Sequence, residues 1–375
     1  MFLNNCIGQV RHQSLIAAEY RVDSPKVGNY TYLVAYNFTD GSFESKDTLL
    51  GAKTSRGKYE GSYVRYDLGK NFIYRNRYVI SGTGNVIDTK TKSLLMEESD
   101  DFVEALGDIL LFHRANARTG KGFLLLDLNS KVYKFINNKE WNRSLRFSPG
   151  KKYCLSIDQS VIPYKIDLND QHGQKITTLV SNAGHGPNTN DSQFPNVETF
   201  WLNDTVFIYA IHQTKYAAGK KIYASVTVRT FNINNLSDKI FAVIDSLGQG
   251  SRNGNFFRDG TGQLLYRTSD WQLLQLDTLQ QQLLAYPFYE YGHGFAEENE
   301  GNKNGKVLTY KKVAIGRQWF SKVFVSNGII AIEYGEPGSN PGYPKGIRTW
   351  SEQTTTWTTI NIPWLCSAIG WIDRE

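Results

Sequence analysis

Two tripeptides, Gly184-His185-Gly186 and Gly292-His293-Gly294, set an imidazole between glycines. Two further histidines close strongly apolar runs, His113 in "LLFHR" and His212 in "IYAIHQ". Imidazole is the commonest metal ligand and a ready general base. His113, His185, His212 and His293 brought to one place would hold a divalent metal and activate a substrate proton or a water. Asp191, Glu297, Glu298 and Glu300 are the carboxylates at hand. The chemistry this would serve is that of a metal-assisted lyase or hydrolase on a saccharide or another polar substrate. No two of these histidines are spaced as H-x-H or H-x-x-x-H, so their convergence depends wholly on the fold. A divalent metal is the only cofactor these residues suggest.

Aromatic side chains crowd the same stretches: Tyr59, Phe194, Tyr216, Tyr289, Tyr291, Phe295, Trp319 and Tyr343. Exposed Tyr and Trp serve protein interfaces and sugar platforms alike. The densest group is Tyr289-Glu290-Tyr291 beside His293. Binding is therefore expected at His185, Tyr289, Tyr291, His293, Phe295, Trp319 and Tyr343. Other catalytic patterns are missing. There is no G-x-S-x-G elbow, no G-x-x-x-x-G-K-[ST] phosphate loop and no Rossmann context for a G-x-G-x-x-G. "PNTNDSQF" lacks the spacing and the closing Glu of a calcium loop.

Composition narrows the class. The 375 residues are 40% apolar and 13% aromatic, enough for a sizeable core and biased toward strands. The net charge of +6 is spread out, with only pairs such as Lys220-Lys221 and Lys311-Lys312. Nucleic-acid binding, which leaves a basic stripe or cluster, is not expected. Cys6, Cys154 and Cys366 form neither a disulfide framework nor a zinc motif, and Cys6 and Cys366 are expected as unpaired thiols. No apolar run is long enough for a membrane helix, and "MFLNNCIGQVRHQ" does not read as a signal peptide. The expectation is a cytoplasmic, monomeric protein with no membrane partner.

Something must position these residues, and the sequence repeats. An apolar run ending in Asp, Asn or Ser, a turn, and a second run occur in "FLLLDLNSKVYKF", again at Asp88, Asp167 and Asp277, and with Asn37, Asn232 and Ser351 in the polar slot. Those side chains suit the slot because they bond the backbone of the following turn. A second signature, an apolar run, a Gly or Asn-Asp turn and a strongly apolar strand, precedes six of the seven, as in "FVEALGDILLFHR" and "TFWLNDTVFIYAI". Together they give four strands, A to D, per unit of roughly 40–50 residues, the sign of a β-propeller. The expected fold is all-β, a single domain over 1–375 with seven blades. The orphan strand "CSAIGWIDRE" would pair in the N-terminal blade as its strand A and close the ring, removing two exposed sheet edges.

"FSPGKKYCLSID" looks like the A–B turn of the seven-bladed propeller superfamily that includes WD40 and YVTN/PQQ-like repeats. The Trp-Asp blade ending of WD40 repeats is absent. The resemblance implies a fold and no particular activity.

In this register the D–A and B–C links are the long ones: 52–62, 181–196 and 288–318, then 214–221 and 335–346. Long links in a compact domain usually carry function. The first expectation is a non-enzymatic recognition protein that holds a partner protein through loops on one face. The alternatives are the metal-assisted enzyme and a carbohydrate-binding propeller.

Overall fold

The computed structural model describes residues 11–24, 28–50, 53–55, 58–60, 71–81, 84–96, 101–114, 122–137, 143–158, 165–180, 198–217, 220–247, 255–267, 273–277, 282–285, 288–298, 306–334, 346–362 and 365–374. Regular structure in them is entirely β. Strands follow one another in antiparallel sheets of four, the blades of a β-propeller. Blade 1 takes β1 (His12–Ser24), β2 (Gly28–Thr39) and β3 (Ser42–Leu50) from the start of the chain. A small hairpin, β4 (Lys53–Ser55) with β5 (Lys58–Glu60), follows it.

Blade 2 is β6 (Phe72–Tyr74), β7 (Tyr78–Ile80), β8 (Val86–Asp88) and β9 (Ser93–Met96). Blade 3 is β10 (Asp101–Leu106), β11 (Ile109–Arg114), β12 (Gly122–Asp127) and β13 (Tyr133–Asn137). Blade 4 is β14 (Arg143–Phe147), β15 (Tyr153–Asp158), β16 (Lys165–Asp170) and β17 (Lys175–Val180). Blade 5 is β18 (Glu198–Trp201), β19 (Val206–Ala217), β20 (Lys220–Asn232) and β21 (Ser237–Leu247). Blade 6 is β22 (Asn255–Arg258), β23 (Leu264–Arg267), β24 (Leu273–Asp277) and β25 (Gln282–Ala285). Blade 7 is β26 (Phe288–Gly292), β27 (Phe295–Glu298), β28 (Lys306–Tyr310) and β29 (Val313–Gln318). Blade 8 is β30 (Phe320–Ser326), β31 (Ile329–Tyr334), β32 (Gly346–Ser351) and β33 (Trp357–Asn361). The last strand, β34 (Leu365–Asp373), pairs antiparallel with β1 and is the fourth strand of blade 1, with Cys366 opposite Glu19.

There are thus eight blades where the repeat count predicts seven. The eighth is the stretch 288–318, expected as a long D–A link and found to be all of blade 7. Its turns hide it. Where other blades set Asp, Asn or Ser before the C–D turn, blade 7 has Tyr310, and its β28–β29 hairpin turns on Lys311 and Lys312, at φ 48° and 68°. Its A–B turn places His293 at φ 51° between two glycines. These are left-handed conformations that side chains other than Gly, Asn and Asp adopt rarely. In blade 2, Arg75 and Asn76 (φ 50° and 52°) make the A–B turn.

The polar slot behaves as an Asx or Ser turn in several blades. Asp127 Oδ1 accepts the N–H groups of Asn129 and Ser130 at 2.8 and 3.2 Å. Asn232 Oδ1 accepts from Asn234 at 2.9 Å, and Ser351 Oγ from Gln353 at 3.2 Å. In blade 4 the turn belongs instead to Asp170, three residues after the expected Asp167. In blade 1, Asp40 and Gly41 turn the chain, and a Cβ on Gly41 would lie 2.1 Å from Ser351 Oγ of blade 8.

The chain divides into two compact units. One spans 1–102, 112–135 and 288–375; the other spans 103–111 and 136–287. In each, blades stack face to face because strand side chains alternate. In the first unit, Leu15 and Ala17 join Ala331 and Ile347 of blade 8, whereas Ile16 and Ala18 join Val79 and Ile87 of blade 2. Ile330 and Ile332 turn the other way, to Phe295 and Leu308 of blade 7. In the second, Phe207 and Tyr209 meet Leu155 and Leu168 of blade 4, while Ile208 and Ala210 meet Phe256 and Tyr266 of blade 6. Tryptophans tie successive blades strand to equivalent strand. Trp371 Nε1 donates to Phe324 O at 3.1 Å, Trp357 Nε1 to Ile315 O at 2.8 Å, and Trp201 Nε1 to Arg146 O at 3.1 Å.

Candidate functional site

Strand B of three successive blades carries a buried glutamate: Glu297 on β27, Glu333 on β31 and Glu19 on β1, at 6%, 1% and 0% exposure. Glu297 and Glu333 are next to last in their strands, at the end from which the B–C links depart. An isolated carboxylate is costly to bury, so each recruits a cation. Lys306 Nζ lies 2.8 Å from Glu297, Lys46 Nζ 2.6 Å from Glu19 and Lys322 Nζ 3.9 Å from Glu333. Tyr291 donates its phenol proton to Glu297, and Tyr36 donates to Glu19. Phenol, carboxylate and cation recur together at Tyr209, Asp238 and Arg229 of blade 5, and at Tyr310, Glu352 and Lys311.

The joint between blades 8 and 1 is the densest of these. Glu333 accepts the backbone N–H of Ala368 at 2.6 Å, and Lys322 donates to Ser367 Oγ at 2.9 Å. Cys366 stands between the two carboxylates. Burial first, then the charges of Glu19 and Glu333, push its thiol well above the usual range. Burial first, then Cys366 and Glu19, raise the Tyr36 phenol. Burial and Glu297 do the same to Tyr291. The thiol and both phenols therefore keep their protons at neutral pH, and the two phenols act as donors. A buried, protonated thiol is not a nucleophile. The arrangement is a polar joint that fixes the strands beneath the B–C links.

The residues expected from sequence fall as follows. His185, Tyr343, Phe194 and Cys6 lie outside the described residues, whereas Tyr59 is in β5, opposite Thr54. His212 is in β19 opposite Val226. His113 is the penultimate residue of β11, half-buried, its ring 5.6 Å from that of Phe123. His293 is exposed in the A–B turn of blade 7, at the opposite end of its blade from the B–C link. Phe295 is fully buried and packs against Tyr310 and Trp350 at 4.6 and 5.8 Å between ring centres. Tyr289 and Tyr291 meet edge to face at 4.7 Å, and Tyr291 borders the same core as Phe295. Trp319, half-buried, is the single residue between β29 and β30. Among the described residues no three or more His, Cys, Asp or Glu side chains are placed to hold a metal ion. Glu19 and Glu333 were not among the expected site residues. The readable signal was an acid in an otherwise apolar strand, in Ala17-Ala18-Glu19-Tyr20 and Ala331-Ile332-Glu333-Tyr334.

No protein-family model matches the sequence. No curated protein matches it either. Among solved structures, apo AztD from Citrobacter koseri superposes with a TM-score of 0.50 at 12% identity, covering 97% of this chain and 98% of that one. The β-propeller domain of the Trilobed protease from Pyrococcus furiosus gives 0.37 at 12% identity, covering 70% of this chain and 83% of that one. An oligogalacturonate lyase in complex with manganese gives 0.39 at 9% identity, over 93% of this chain and 85% of that one. The likeness to AztD is one of fold alone. By its own strand order, the chain is a β-propeller of eight four-stranded blades.

Proposed function

We propose that this chain is a non-enzymatic recognition protein that binds a partner protein through the B–C and D–A links. The observation that carries this is the disparity in strand length. β1 runs for 13 residues and β2 for 12, whereas β27 has 4 and β7 has 3. The A–B and C–D turns stay tight, so the extra length of the β1–β2 hairpin extends its B–C end. The hairpin β4–β5 elaborates the D–A link that follows. Within blade 5, β19 and β20 are lengthened in the same way, to 12 and 13 residues. Extended hairpins on a rigid blade offer side chains and backbone edges to a partner at little ordering cost.

The test shortens the β1–β2 hairpin, replacing residues 20–31 by Asn-Gly so that Glu19 and Tyr32, opposite each other in the native register, flank the new turn. Capture of the partner from the native host should be lost with the melting temperature retained; undiminished capture would refute the reading. The rival is the metal-assisted enzyme expected from the sequence, with His113, His185, His212 and His293. Stoichiometric divalent metal in untagged protein, lost in His185→Ala, would replace recognition by the enzymatic alternative.

A further inference from the structure

A cavity of about 620 Å³ lies in the groove between blades 5 and 6, at the end that carries the A–B and C–D turns. It is far along the blades from the links invoked above and goes beyond that reading. Three asparagines line it: Asn203 in one A–B turn, Asn232 and Asn235 at the C–D turn of β20 and β21. Each spends its side-chain oxygen on the turn it belongs to. Asn203 Oδ1 accepts the N–H groups of Thr205 and Val206, both at 2.9 Å. Asn232 Oδ1 accepts from Asn234 at 2.9 Å, and Asn235 Oδ1 from Ser237 at 3.1 Å. What each has left is an NH₂ group, a donor only. Among the described residues none of these three groups has a partner.

The two charged residues of the lining are both cations, Lys239 and Arg258. The Arg258 guanidinium is set by a 2.7 Å bond to Gly262 O and lies 5.5 Å from the centre of the Phe200 ring. Three of the acids nearest in sequence are occupied elsewhere. Asp238 bonds Tyr209 and Arg229, Asp259 accepts Thr261 and Gln263, and Asp204 accepts Gly150 of blade 4. Strand alternation explains the first: Ser237, Lys239 and Phe241 face the groove, so Asp238 faces away. The corresponding groove between blades 1 and 2, about 460 Å³, is also rich in cations but carries Asp47 and Asp373 among them. Only the blade 5–6 groove, of the two, combines donors and cations without a carboxylate.

We infer that the groove between blades 5 and 6 binds a small anionic polyol, a sugar bearing a phosphate or carboxylate. Lys239 and Arg258 take the oxyanion, since guanidinium and ammonium bind it best, and the asparagine amides take hydroxyl oxygens. Buried Phe241 and Leu276 give the apolar floor that a sugar ring covers. The volume suits a ligand of one or two rings.

Isothermal titration at low salt tests this with glucose 6-phosphate, glucuronate and glucose. At least one charged sugar should bind saturably, at least about ten-fold more tightly than glucose, and more weakly as salt rises. The two anions tell phosphate from carboxylate. Asn235→Asp and Asn232→Asp keep the oxygen that makes the turn but turn the free donor into an acceptor with negative charge. Each should lower affinity at least about ten-fold, with the unliganded melting temperature within about 2 °C of wild type. Asn129→Asp, at the equivalent turn of blade 3, should change nothing. Absence of saturable binding by either anion up to about 10 mM, equal binding of glucose, or unchanged affinity in both asparagine variants would overturn the proposal.

Discussion

Asp88 shows how this protein keeps ionised groups inside a blade. Its side chain is inaccessible to solvent, yet Arg77 grips it through two bonds, of 2.8 and 2.6 Å. Burial by itself raises such a carboxyl. The bonds from Arg77 and Thr91, with the Arg77 charge, outweigh burial and hold it down at about 2. A carboxyl that is more acidic folded than unfolded stabilises the fold above the unfolded value of about 4, and that contribution fades as pH falls toward 2. Wild type should therefore exceed Asp88→Asn in stability at pH 7, and the gap should close between about pH 5 and pH 2 in urea titrations. A gap independent of pH would show that the pair contributes nothing through charge. Arg77→Ala strands the carboxylate; Arg77 is partly exposed and its pair screened, so the loss should be about 2 kcal/mol at pH 7.

At the scale of the element, turns decide which hairpins form. Lys312 holds a left-handed conformation without the excuse of being Gly, at φ 68° and fully on the surface. Lys312→Gly should raise stability by about 0.5–1 kcal/mol. Gly41 is the reverse case, with φ 81° and Ser351 in the space of its missing Cβ. Gly41→Ala should cost at least about 2 kcal/mol, and denaturant midpoints that move the same way in both variants would contradict this. The pair also explains what was legible. The blade 1 turn after Asn37 could be read because "TDGS" is an ordinary hairpin turn between alternating runs. Blade 7 could not, because Tyr310 stands before its C–D turn where the recognised blades carry Asp, Asn or Ser. Counting turn chemistries therefore gave one blade too few and mistook Phe295 and Tyr291 for loop residues. Glu19 and Glu333 were hidden for another reason. Period-2 patterning marks an acid in a strand as solvent-facing, and the arrival of Lys46 and Lys322 from other strands, with donors such as Tyr36 and the Ala368 N–H, makes burial tolerable.

At the scale of the whole chain, the two ends share one sheet. β34 gives Cys366 and Ala368 to the core with blade 8, and Ile369 and Ile372 to the core with blade 2. It also gives Trp371 to the strut on Phe324, and its Asp373 backbone is held from both sides by the Asn76 amide of blade 2. Without it, β1 would present an unpaired edge from Gln13 to Tyr20, an invitation to aggregation. Losing two isoleucines from packed cores costs about 4–8 kcal/mol, comparable with the stability of an ordinary domain. A chain ending at Ile362 should therefore fail to fold as a soluble monomer. Because β34 is one extended strand with its partners preformed on both faces, a synthetic peptide of residues 365–375 added during refolding should restore soluble protein and its near-ultraviolet circular dichroism. The same peptide with Trp371→Ala and Ile372→Ser should rescue poorly. If the truncated chain folds unaided, blade 1 is complete with three strands and the last strand is an ornament; if neither peptide rescues, β34 must be present from the first steps of folding rather than added to a waiting edge.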